Sequence, residues 1–150
     1  MAEQMSARTI VLLASGIRTS SSQGSEITVP PGFQDVRLVL SVTAASGTTP
    51  TLNVFLQDGI IFAAAADIAQ ARTTGTKTWN DFAAFAQVVA AAVRHIGITP
   101  GGNFEAAAQN AALTAATIRS GPLGQRWRVK WAVGGTSPSF TFSVFAEFRT

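Results

Sequence analysis

The sequence predicts an all-β protein, a β-sandwich or jelly roll of seven to nine short antiparallel strands with one or two short helices. Three observations lead there. Two-residue alternation is clear in the last third, where Trp127, Val129 and Trp131 share one face and Arg126, Arg128 and Lys130 the other. Clusters of Gly, Pro, Ser and Thr recur at the spacing that separates strands in small β proteins. Finally, GTTPTLNV at 47–54 matches GTSPSFTF at 135–142 position for position in residue character, so one design is used twice.

Taken in order, the first strand covers 9–17, around the apolar run Ile10 to Ala14. That run is too short for a membrane span or a secretory core, and Glu3 and Arg8 stand in its leader. A Ser-rich loop at 18–24 leads to a short strand at 25–29, which Pro30, Pro31 and Gly32 end. At 33–43, Val36, Leu38, Leu40 and Val42 point one way, with Arg37, Val39 and Ser41 opposite. A turn at 45–50 and a strand at 51–57 follow, and the two strands are expected to form a hairpin. The Ala-rich stretch 60–71 reads as a short helix, and 73–78 as a loop leading to Trp79.

Within 82–98 the Ala content speaks for a helix and the strand-rich surroundings for two strands, 82–89 and 93–98; the second reading is preferred. A break at 99–103 places Asn103 as the cap of a short helix over 104–111. A strand at 113–119 follows, closed by a turn at 121–124. The alternating runs 125–131 and 140–148 flank a turn and are expected to form a second hairpin, with the chain ending at its edge. Pro50 and Pro138 each remove a donor at a strand mouth, which limits unwanted edge pairing.

A chain of 150 residues suits one domain with a substantial core, preceded by an arm at 1–7. Hydrophobic residues make up 47% and charged residues 13%, about half the roughly 25% usual in soluble domains. Either Ser, Thr, Gln and Asn solvate such a surface or other subunits cover it, and the second is what an assembly protein would show. The net charge of +3 is spread without blocks, which speaks against a nucleic-acid arm or a polybasic membrane anchor. The absence of Cys excludes disulfides, thiolate metal sites and a cysteine nucleophile. His95 is the sole histidine, so a two-histidine metal motif within the chain is excluded.

No nucleophile elbow or phosphate-binding glycine loop is present. Asp35, Asp58, Asp67 and Asp81 fall beside turns or strand ends, where carboxylates cap or solvate backbone. No catalytic, cofactor-binding or metal-binding residue is therefore named, and no cofactor is expected. The strip Arg126, Arg128 and Lys130 reads first as the solvated face of an amphipathic strand and second as a contact for an acidic partner surface or a nucleic acid. Trp127, Trp131, Phe140, Phe142 and Phe148 read as core. An exposed Trp79 would point instead to a carbohydrate-binding module.

The stretch GPLGQRWRVKW at 121–131, followed by GGTSPSFTFSV at 134–144, resembles small β-rich virion structural proteins of tailed bacteriophages. Residues 38–57 look like that family's first hairpin, and Trp79-Asn80-Asp81-Phe82 with Phe85-Ala86-Gln87 is similar to a further segment. The resemblance covers about half of the chain and involves scaffold motifs. It implies a non-enzymatic homo-oligomeric subunit, a trimer ahead of a dimer, which decorates and cements the head by bridging copies of the major capsid protein. The expected location is the outer head surface after synthesis in the host cytoplasm, with no membrane partner and no specific nucleic acid. A tail, neck or connector subunit and a sugar-binding host-adhesion module are the alternatives. The candidate protein contacts are Arg126, Arg128 and Lys130, with Met1, Ala2, Glu3 and Gln4 of the arm.

Overall fold

The computed structural model describes residues 7–61, 77–99, 113–119 and 123–150. Seven strands follow one another: β1 (Ala7–Arg18), β2 (Ser22–Gln23), β3 (Ile27–Thr28), β4 (Asp35–Ile61), β5 (Lys77–Ala84), β6 (Ala92–Ile98) and β7 (Arg126–Arg149). Every pairing is antiparallel. The all-β expectation holds, and the described residues contain no helix. The arm residues Met1, Ala2, Glu3 and Gln4, the helix expected at 104–111 and most of that expected at 60–71 lie outside the described residues. Ile60 and Ile61, the start of the latter, instead close β4 as strand.

Two strands are not short. β4 has 27 residues and β7 has 24, and they pair along nearly their whole length, from Asp35 opposite Arg149 to Asp58 opposite Trp127. Each half of each strand has two lateral neighbours. Leu38 lies between Ile96 of β6 and Ala146 of β7, and Leu56 lies between Ala83 of β5 and Val129 of β7. The two expected hairpins therefore do not form, because neither half has a side left for its sequence neighbour. The chain ends between β1 and β4, inside the sheet rather than at its edge. Alternation reveals that a strand is half-buried but carries no record of its partner.

The continuous sheet is folded double. Trp127 and Phe148 sit at opposite ends of β7, which a straight strand would hold about 70 Å apart at about 3.3 Å per residue. Their ring centroids are 5.5 Å apart, and those of Trp131 and Phe142 are 6.0 Å apart. One arm contains β1, the second half of β7, the first half of β4 and β6; the other contains β2 and β3, the first half of β7, the second half of β4 and β5. Their inner faces enclose a β-sandwich-like core of Leu38, Leu40, Leu56, Phe85, Trp127 and Phe140 among others.

The repeated string makes the fold line. Gly47 and Thr49 have φ of +115° and +47°, and their counterparts Gly135 and Ser137 have +107° and +47°. Both strands bend at this point, where Thr48 pairs with Thr136 and the register slips on either side, as strands do when they pass from one layer to another. A Cβ on Gly47 would lie 2.8 Å from the Ser137 carbonyl oxygen, and one on Gly135 would lie 2.7 Å from that of Thr49. The two bends cross backbone to backbone, and glycine permits the approach. Pro50 and Pro138 lie at this irregularity in the middle of the sheet, not at an edge, so their missing N–H falls where the ladder is already interrupted.

Of the strands expected at 82–89 and 93–98, the second lies within β6, whereas the first is strand only to Ala84, where β5 ends, and Val88 then pairs with Leu52 as an isolated bridge. The strand expected at 113–119 is reduced to one bridge, Ile118 to Ala83. Its backbone still bonds along β5, through Ala84 N–H to Thr117 and Arg119 N–H to Phe82, but Ala116 at φ +59° turns the chain out of an extended run.

Candidate functional site

The outer face of the second arm carries a polar cluster built from three adjacent strands. Arg128, Gln57 and Asp81 occupy one cross-strand row, and a bulge beside Gln57 turns Phe82 into the core while Asp81 stays on the polar side. Arg128 Nε donates to Gln57 Oε1 at 2.7 Å, and Gln57 Nε2 donates to Asp81 Oδ1 at 2.8 Å. Lys130 Nζ reaches both oxygens of Asp81 at 2.9 and 3.0 Å, and the Leu113 N–H adds a bond at 3.2 Å. The Arg128 guanidinium stacks 4.3 Å from the Trp79 ring centroid, and Lys130 lies 4.6 Å from that of Phe55. Burial lowers the Arg128 pKa, and the Asp81 charge opposes that shift. Both oxygens of Asp81 accept hydrogen bonds, and the one from Leu113 N–H ties residue 113 to the sheet.

The predicted cationic strip is thus largely spent inside the chain. Arg128 and Lys130 are half-buried in the cluster, whereas Arg126 is exposed and pairs with Glu26 at 3.3 Å and with Thr28 Oγ1 at 2.7 Å. The solvated-face expectation holds only for Arg126, because Gln57 and Asp81 come from other strands that periodicity could not place alongside. Met1, Ala2, Glu3 and Gln4 lie outside the described residues. Trp79 is half-buried, with the Arg128 guanidinium over one face of its ring, so the exposed ring that would point to a carbohydrate-binding module is not what the structure has.

A second polar pair lies on the core side. Asp58 opposes Asn80 on β5 and Trp127 on β7. Its Oδ2 accepts the Gly124 N–H at 2.9 Å, and the Trp127 indole donates to the Gly124 carbonyl at 3.0 Å. Asp58 Oδ1 and both amide atoms of Asn80 have no partner. Burial pushes the Asp58 pKa up, against a smaller opposing effect of the Gly124 bond. Asp58 and Asp81 do cap backbone, at the Gly124 and Leu113 N–H groups, but from inside the fold, 5% and 2% exposed, and not as solvated strand-end carboxylates. Asp35 does sit at a strand end, where it pairs with Arg149, and Asp67 lies outside the described residues. Sequence reasoning missed Gln57, Asp58, Asn80 and Asp81 as a group. Their signal was two adjacent polar pairs in alternating strands, since one residue of each such pair must face inward.

Among the described residues no three His, Cys, Asp or Glu side chains gather as metal ligands. A cavity of about 540 Å³ at the end of the first arm is lined by the paired ions Asp35, Arg149, Arg37 and Glu147. One of about 310 Å³ lies between β6 and 115–118, lined by Phe85, His95, Ile96 and Ile118. Exposed apolar side chains flank the first arm on opposite sides: Val11 and Ile17 on β1, Val93 on β6 and Val89 just before it. In comparisons with known proteins, no family model matches the chain and no curated protein sequence matches it.

Proposed function

We propose that this chain is a structural subunit of a tailed-phage virion and, within that class, a homo-oligomeric decoration protein that bridges copies of the major capsid protein on the outer head surface. We read its two arms, linked through two long folded strands, as a jelly roll. The observation that carries the proposal is the pair of apolar flanks. Val11 and Ile17 lie 57% and 73% exposed along one edge of an arm, and Val93 lies 55% exposed along the other, in a chain with 13% charged residues. Opposite edges of this kind suit lateral contacts between subunits. A cementing subunit acts by burying area across capsomer joints, so that detaching one capsomer also breaks its contacts. The likeness of 121–144 to phage virion proteins supports the same reading. The stacking of Arg128 on Trp79 removes the main support for a sugar-binding module.

The test is the copy number of the protein relative to the major capsid protein in purified particles, by quantitative mass spectrometry after separation of heads from tails. A ratio near that of the head lattice, confined to heads, is expected. A far smaller ratio that tracks with tails or necks would make the chain a connector or tail subunit and refute the cement role.

A further inference from the structure

Asp58 differs from the other described carboxylates. Glu26, Asp81 and Glu147 lie 3.3, 2.9 and 3.7 Å from Arg126, Lys130 and Arg37, and Asp35 pairs with Arg149. Asp58, though almost fully buried, has no cation beside it among the described residues. Its register partner Asn80 is equally buried, 5% exposed, and neither amide atom is satisfied. Gly124 borders the same space, because a Cβ there would lie 2.8 Å from Asp58 Oδ1. Asp58 Oδ1 therefore borders a position that a side chain at 124 would fill, and the orphaned Asn80 amide belongs to its register partner on the neighbouring strand.

Buried polar atoms in native proteins find partners, and a buried carboxylate needs a counter-charge or a proton. A water molecule would answer the hydrogen bonds and leave the charge uncompensated. We infer that Asp58 Oδ1 and the Asn80 amide oxygen hold a hard cation beside Gly124, of the class represented by calcium. The carboxylate and amide oxygens are hard ligands, which suits calcium over softer metals, while the Asn80 amide nitrogen, a donor, takes no part in the coordination. With one carboxylate in the set, water and backbone carbonyls complete the coordination and affinity falls in the millimolar class of weak calcium sites, about 10⁻⁴ to 10⁻³ M. The ion would fasten β4 to β5 and, through the Gly124 bond, the approach to β7. Such an ion site is independent of the virion reading.

Terbium, a luminescent calcium substitute, provides the assay, because Trp127 is the cross-strand neighbour of Asp58 and can sensitise it. The full chain, stripped with chelator, is expected to give saturable tryptophan-excited terbium emission that calcium displaces and equal magnesium does not. Calcium at ten times its half-saturating concentration should raise Tm by about 3 °C or more. Asp58→Asn, which keeps the shape of the side chain, should abolish both effects, and Asn80→Ala should weaken binding several-fold. Emission that fails to saturate, or that survives unchanged in Asp58→Asn, would overturn the assignment. So would a wild-type Tm that ignores calcium and responds only to pH, since Asp58 would then hold a proton instead.

Discussion

Replacing Gly47 by Ala tests the crossing of the two bends. A methyl group there would lie 2.8 Å from the Ser137 carbonyl oxygen, 2.9 Å from Pro138 Cα and 3.0 Å from the Thr136 carbonyl oxygen. All three atoms are backbone of the other central strand, so relief requires the strands to part. Positive φ costs an L-residue about 1–2 kcal/mol, and overpacking about 1–3 kcal/mol. We expect a loss of about 3 kcal/mol and, at about 2–4 °C per kcal/mol for a chain of this size, a Tm lower by about 6–12 °C.

Two further glycines separate the contributions. Gly32 has φ +67° and a Cβ there would meet nothing within 4 Å, so Gly32→Ala should show the conformational cost alone, about 1 kcal/mol. Gly97 lies in β6 with neither a positive φ nor a close neighbour, so Gly97→Ala should be neutral or stabilising by about 0.5–1 kcal/mol. Urea unfolding followed by the fluorescence of buried Trp127 and Trp131 gives the midpoints, which are comparable if the slopes agree. A Gly47→Ala midpoint no lower than that of Gly32→Ala would refute the tight crossing.

In chelator at pH 7, Asp58→Asn should stabilise the protein by about 1–2 kcal/mol, as it removes an uncompensated buried charge. Because folding raises the Asp58 pKa, the stability linked to this group is present below the unfolded carboxylate pKa and lost as pH rises through the folded value; the gain in the variant should fade on acidification, as urea midpoints at several pH values would reveal. Lys130→Met leaves Asp81 buried with neutral donors only and should cost about 3 kcal/mol, of which adding Asp81→Asn should restore more than half in a double-mutant cycle. The hydrogen bond from Arg149 holds the Asp35 pKa below the ordinary carboxylate value, so Arg149→Ala should move its NMR titration upward. The stability from that depressed pKa is present above the unfolded value, disappears as pH falls through the folded one, and should weaken in high salt.

The proposed assembly role would place demands on edges more than on a cleft. The polar cluster around Asp81 consolidates the outer face of one arm, while β1 and β6 of the other leave apolar side chains outside the core. Among the described residues, several charges that could serve partner surfaces are answered within the chain, with Arg126 to Glu26 and Arg37 to Glu147 as exposed examples.

The sequence by itself determined which faces are buried. Trp127, Val129 and Trp131, and Phe140, Phe142, Val144, Ala146 and Phe148, all point inward as their two-residue period requires, because side-chain alternation is a local property of extended backbone. It also determined that one turn design, read as a hairpin, is used twice, and the two strings indeed share their sequence of positive φ values. Only the tertiary structure decided the pairing. A glycine at positive φ followed by proline serves a hairpin and a strand bend equally well, and what selects the bend is the burial of two apolar faces against each other, with Trp127 meeting Phe148 from the far end of the same strand. The acids Asp58 and Asp81 were legible as residues near strand ends but not as buried ones. Their surroundings are supplied by Asn80, Leu113, Gly124 and Lys130, which come together only when the whole sheet has closed, because pairing across a sheet depends on distant segments that local sequence does not encode.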